Sequence, residues 1–217
     1  MSIFEMLKKI EGPLTSSHSK EFASQVLEGD HQILDEAVEL VVYDLKNKKE
    51  KNIRVRAAKL VECVAMEKAE LVTPYLKKIL PALEAPEPQT RWMILRIMGF
   101  CAANDPDTAK EALPFARDAI RQKKDGQLCL VSSADLYLGD YGALSVERAR
   151  EVYKLLLEST DNLILNEHDW LLEAFMKIIP HLNAEEKKVI LDFAAGYQDH
   201  ERKSTRERVK ALQKMCE

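Results

Sequence analysis

Two segments of this 217-residue chain repeat one pattern: IRVRAAKLVECVA, beginning at Ile53, and TRWMILRIMGFCA, beginning at Thr90. Aligning Arg54 with Arg91, 37 residues on, brings Ala57 and Ala58 onto Ile94 and Leu95. The same register places Leu60 and Val61 on Ile97 and Met98, and Val64 on Cys101. Apolar side chains at these offsets from an arginine gather on one face of an α-helix. A further apolar-periodic run, LVTPYLKKILPAL, lies between the copies. The unit is therefore a pair of helices. One such pair cannot bury its apolar face alone, so it must stack on neighbouring pairs.

Extending the register along the chain gives five equivalent positions, Arg54, Arg91, Gln127, His168 and Thr205, at intervals of 37, 36, 41 and 37 residues. The long interval holds TDNLILNE, where Leu163, Ile164 and Leu165 are expected to tuck an extended connector against the array. Punctuation fits the helix pairs. Gly12-Pro13 ends a first short helix, Gly29 closes a second, and Asp30 is positioned to cap the next. The prolines of EAPEPQT forbid a helix continuous from 68–83 into 88–103. Asp125-Gly126 and Gly139-Asp140-Tyr141-Gly142 read as later breaks, and Asp107 as a helix cap. Residues 184–198 and 202–216 form the last pair. No alternating run is long enough to argue for a strand.

Composition narrows the class. Hydrophobic residues at 46% and charged residues at 31% suit a folded, water-soluble helical protein rather than a disordered one. A net charge of -4 gives no general drive toward nucleic acid. The amphipathic start MSIFEMLKKI lacks the features of a signal peptide, and no run is long enough for a membrane helix. Cys63, Cys101, Cys129 and Cys216 form no close metal pair and read as free thiols. The expected location is cytoplasmic. His18, His31, His168, His181 and His200 are scattered without metal-ligand spacing, and only His168-Asp169 beside Trp170 forms a cluster. No phosphate-binding loop or nucleophile elbow is present, so no metal or cofactor is expected.

The two arginine-led segments resemble the second helix of HEAT repeats: a branched or Thr residue, an Arg, then paired small or apolar residues. Gly99 stands where that family often has glycine, and Pro74 and Pro114 resemble its first-helix proline. The resemblance covers roughly residues 30 to 217. It implies an all-α fold, a right-handed α-solenoid of about five antiparallel helix pairs. Residues 1–29 would add one or two capping helices and residues 30–217 the repeat array. Second helices would line the concave side. The resemblance also implies that Arg54 and Arg91 bond acidic residues in turns of neighbouring repeats.

The candidate partner-binding surface on that concave side comprises Arg56, Trp92, Arg96, Asp135, Asp169, Trp170 and Glu173, with Arg56 pointing toward solvent. Aromatic and arginine side chains commonly anchor interfaces. These expectations describe a non-enzymatic scaffold that holds a protein or peptide. The resemblance also admits a DNA-repair glycosylase acting on alkylated bases, with Asp135 or Asp169 stabilising a developing positive charge. The chain lacks the basic stripe such an enzyme needs to hold a duplex. A third reading, small-molecule or chromophore handling, places a closed pocket near Ser132 and Trp170.

Overall fold

The computed structural model describes residues 3–9, 16–122, 128–161 and 168–216. The described residues form α-helices and short 3-10 turns, with no strand among them. Gln127, Asp125-Gly126, Gly12-Pro13 and Leu163–Leu165 lie outside the described residues. No described helix is long and apolar enough to cross a membrane. The chain divides into two compact units, Met1–Ala112 and Leu113–Glu217.

The first unit opens with α1 (Ile3–Lys9), α2 (Ser16–Leu27), α3 (His31–Val41) and α4 (Lys51–Glu67). Gly29 closes the turn just after α2, with a φ of +118° that is readily adopted only by glycine. The next segment, 69–84, is interrupted. It comprises α5 (Ala69–Val72), a 3-10 turn at Thr73–Tyr75, α6 (Leu76–Ile79) and a second 3-10 turn at Leu80–Glu84. Pro74 and Pro81 explain both interruptions, because neither residue can donate the amide bond a continuous α-helix requires. Then come α7 (Pro88–Cys101) and α8 (Pro106–Lys110). The cap of α8 is Asp105, which accepts from the Thr108 amide at 3.0 Å; Asp107, the residue expected in that role, lies inside the helix.

Helices α2, α4 and α7 form a row, each packed on the next, while α1, α3 and α6 form a second row beside it. The two N-terminal helices both pack on α3 and α4. Their apolar side chains Ile3, Leu7, Ala23 and Val26 are buried.

The second unit contains α9 (Leu113–Gln122), α10 (Leu128–Gly142), α11 (Val146–Thr160), α12 (His168–Ile178), α13 (Ala184–Ala195) and α14 (Lys203–Cys216). Here α10, α12 and α14 pack in succession, and α9 lies against α11. Two of the starts carry caps. Ser145 accepts from the Arg148 amide, and Asn183 with Glu186 completes a capping box.

Gly139-Asp140-Tyr141-Gly142 is not a break but the last turn of α10. Its glycines serve packing. A Cβ on Gly139 would lie 2.7 Å from Ala174 Cα on α12, and one on Gly142 would lie 2.7 Å from methyl groups of Ile178 and Val152. The absence of side chains lets α10 and α12 approach closely.

Candidate interaction surface

Arg54 is fully buried on α4, and its guanidinium holds two turns at once. Nε and one terminal nitrogen donate to the two Glu87 carboxylate oxygens, both at 2.8 Å. The other terminal nitrogen donates to the carbonyls of Tyr43, Asp44 and Asn47. Asp44 has φ +39°, a left-handed conformation uncommon for a side-chain-bearing residue, and Arg54 bonds its carbonyl. Glu87 precedes α7 and also accepts from the Thr90 hydroxyl at 2.7 Å. Burial pushes the Glu87 carboxyl up, but the bonds from Arg54 and Thr90 outweigh it and hold the group below its ordinary value. The turn after α3 is thereby tied to the start of α7.

Arg206 in the second unit makes a partial version of this clamp. One terminal nitrogen donates to the carbonyls of His200 at 2.6 Å and Glu201 at 2.9 Å. Neighbouring Thr205 is fully buried and donates to Asp169 at 2.6 Å. Here a hydroxyl and an arginine on adjacent residues divide bonding of the kind that Arg54 performs alone.

The residues expected to form one concave site fare differently. Arg56 does not face solvent: it is 6% exposed and donates to the Leu7 carbonyl near the end of α1 at 2.5 Å. A helix C-terminus is a favourable place for that cation. Asp135 is likewise buried, at 3% exposure, because α10 is enclosed along nearly its whole length. Its sequence, LCLVSSADLYLG, carries apolar residues on every side, as a central helix must.

Asp169 accepts from the Ser204 and Thr205 hydroxyls, and its carboxyl is held below the ordinary range. Burial opposes that shift, but the two hydroxyls and Arg208 prevail. Glu173 pairs with Arg208 at 3.1 Å and Lys177 at 3.8 Å, while Lys177 reaches Asp140 at 2.7 Å. These groups form an ion-pair ladder across α10, α12 and α14. Trp170 beside them is 39% exposed. The buried face of α12 holds His168, whose Nε2 lies 3.0 Å from His200 Nε2, with Tyr197 against its ring.

Helix α7 in the first unit presents a different surface. Thr90, Met93, Ile94, Leu95, Ile97, Met98, Gly99 and Cys101 are buried. The opposite ridge runs through Trp92, Arg96 and Phe100, all half-buried, with exposed Gln89 and Ala103 at its ends. The spacing of four residues keeps these side chains in line. The Arg96 guanidinium lies over the Phe100 ring, 4.8 Å from its centre. Arg91 flanks the ridge. The Nε atoms of Arg91 and Arg96 are enclosed without a hydrogen-bond partner. Arg91, aligned with Arg54 in sequence, therefore does not repeat its clamp. Glu87 is four residues N-terminal to Arg91, but both its oxygens are taken by Arg54. Phe100 escaped the sequence reading, although it stands eight residues beyond Trp92 on the same ridge.

Among the described residues no group of three His, Cys, Asp or Glu side chains is placed to hold a metal ion. Cys63 and Cys101 are buried, and burial pushes the Cys101 thiol up to about 11, well away from the reactive thiolate. Cys129 is exposed and Cys216 half-buried, so the four thiols share no common environment.

No family model and no curated protein matches the chain. Solved structures do. The crystal structure of an engineered protein aligns over 100% of this chain and 97% of its own, with a TM-score of 0.58 at 14% identity. A second engineered protein aligns over 93% of this chain and 58% of its own, with a TM-score of 0.56 at 8% identity. At these identities the likeness concerns the helical fold alone.

Proposed function

We propose that the chain is a non-enzymatic scaffold of the HEAT-like kind, a right-handed α-solenoid whose second-helix surface holds a protein or peptide partner. The observation that carries this reading is the α7 ridge. Trp92, Arg96 and Phe100 stand half-buried on a firmly anchored helix; the Arg96 Nε is enclosed, and its terminal nitrogens make no bond among the described residues. Aromatic and arginine side chains on a rigid element are the usual anchors of a binding surface.

The carboxylates that a glycosylase would use give that alternative no support. Asp135 is buried and Asp169 is bonded to two hydroxyls. Support for pairwise repetition comes from the helix rows in each unit and from the Arg54 clamp.

The test is partner capture by affinity pull-down and mass spectrometry. Alanine at Trp92 and Arg96 is expected to reduce capture by about tenfold or more, the effect of removing interface anchors. Far-UV circular dichroism should remain that of the wild type. Undiminished capture with both residues replaced would rule out this surface.

A further inference from the structure

The scaffold reading leaves the chemistry of the partner open, and the charge inventory of the helix faces narrows it. Several other cations on the second helices are matched within the chain, while Lys51, Lys210 and Lys214 stand exposed on α4 and α14. Arg54 bonds Glu87, Lys59 bonds Glu62, Lys177 bonds Asp140, and Arg208 bonds Glu173. Arg91 and Arg96 make no ion pair or hydrogen bond among the described residues. Arg96 nonetheless has a fixed place, its planar group laid on the Phe100 ring. With Nε enclosed, a guanidinium held by its face keeps its two terminal nitrogens for a planar anion, and a carboxylate can accept two parallel bonds from that pair. Trp92 and Phe100 on the same ridge offer apolar area beside the charge.

Resting on the scaffold reading above, we propose that the α7 ridge docks a carboxylate-bearing peptide segment. Its acidic side chains meet Arg91 and Arg96, and an apolar side chain lies against Trp92 and Phe100. The helix is prepared for this role. Glu87 and Thr90 lock its first turn to the Arg54 clamp, so little ordering is left for the moment of binding. A nucleic-acid backbone fits less well. Phosphate recognition draws on many cations along a stripe, whereas here two stand on one helix of a chain with net charge -4.

The experiment is selection of random peptides on the full-length chain, followed by affinity measurement for the wild type, Arg91→Gln/Arg96→Gln and Trp92→Ala. Circular dichroism checks that each variant keeps wild-type helicity. In a Trp170→Phe background Trp92 is the sole tryptophan, and its emission reports occupancy of the ridge. Enriched sequences should be acidic with apolar residues interspersed. Their affinity should fall with salt and drop about tenfold or more in the double glutamine variant, and Trp92 emission should shift on binding.

Neutral or basic sequences, or acidic ones that bind the glutamine variant equally well, would overturn the acidic assignment. If such sequences still lost affinity in Trp92→Ala, the scaffold reading would stand without it. If no enriched sequence depended on any α7 residue, both would fall. Tight binding of a single-stranded oligonucleotide that displaces the peptides would overturn the assignment in favour of a phosphate backbone.

Discussion

Replacing Gly139 with alanine sets two effects of known sign against each other. In an isolated helix the change is favourable, by about 1 kcal/mol, because alanine forfeits less backbone freedom than glycine. In this chain the new methyl group would meet Ala174 Cα at 2.7 Å and its Cβ at 3.0 Å. Carbon atoms attract at about 3.5–4.0 Å, so α10 and α12 must separate by roughly 1 Å. The atom in the way is backbone, and no rotamer change removes it. Overpacking of this kind costs about 1–3 kcal/mol. Subtracting the propensity gain leaves a net loss of about 1–2 kcal/mol at the upper part of that range. In a chain of this size such a loss lowers the melting midpoint by roughly 2–8 °C.

Gly196 supplies the control. Its φ is -63°, and an added Cβ would meet nothing nearer than the Phe193 carbonyl at 3.5 Å. Thermal and urea unfolding followed by circular dichroism should show Gly139→Ala destabilised and Gly196→Ala unchanged or slightly stabilised. If Gly139→Ala proved more stable than the wild type, the close approach of α10 to α12 would be refuted.

Two further predictions concern the buried bonds. Arg54→Ala leaves Glu87 enclosed without its guanidinium partner and frees three turn carbonyls, so stability should fall by about 3–5 kcal/mol in urea unfolding. A loss below about 1 kcal/mol would show that the clamp is dispensable. Acid should act through Glu87 and Asp169, whose folded carboxyls sit below their ordinary values of 4.5 and 3.8. Each contributes stability that is complete above the ordinary value and is lost as pH falls through the lower folded one. Stability should therefore decline below about pH 4.5, and Glu87→Gln should be less stable at neutral pH with a shallower decline. An equally steep decline in that variant would remove Glu87 from the account.

The helical class and most helix boundaries were legible in the sequence because both rest on local signals. Apolar spacing marked the faces of α3, α4 and α7, and the prolines of EAPEPQT marked the break before α7, whereas 68–83 read as one helix and is in fact interrupted at Pro74 and Pro81. What escaped depends on neighbours that no local pattern encodes. GDYG has the composition of a turn, yet both glycines are spaces for another helix. Asp135 was expected on an open concave surface, whereas α10 is buried along nearly its whole length. Arg54 and Arg91 occupy the same register position, but only one carboxylate stands within reach, and Arg54 holds both its oxygens. His168 and His200 are 32 residues apart in sequence and 3.0 Å apart in the fold. Of the site residues chosen from sequence, those on α7 kept an uncommitted surface. Those on α4, α10 and α12 were largely absorbed by contacts within their units.

Site-specific photo-crosslinking tests the central claim most directly. A photoreactive side chain at position 96 on the α7 ridge is compared in cell extract with one at exposed Lys154 on α11. Recognition by the second-helix surface predicts a discrete crosslinked protein from position 96 and none from position 154. The same product from position 154, with none from position 96, would contradict it.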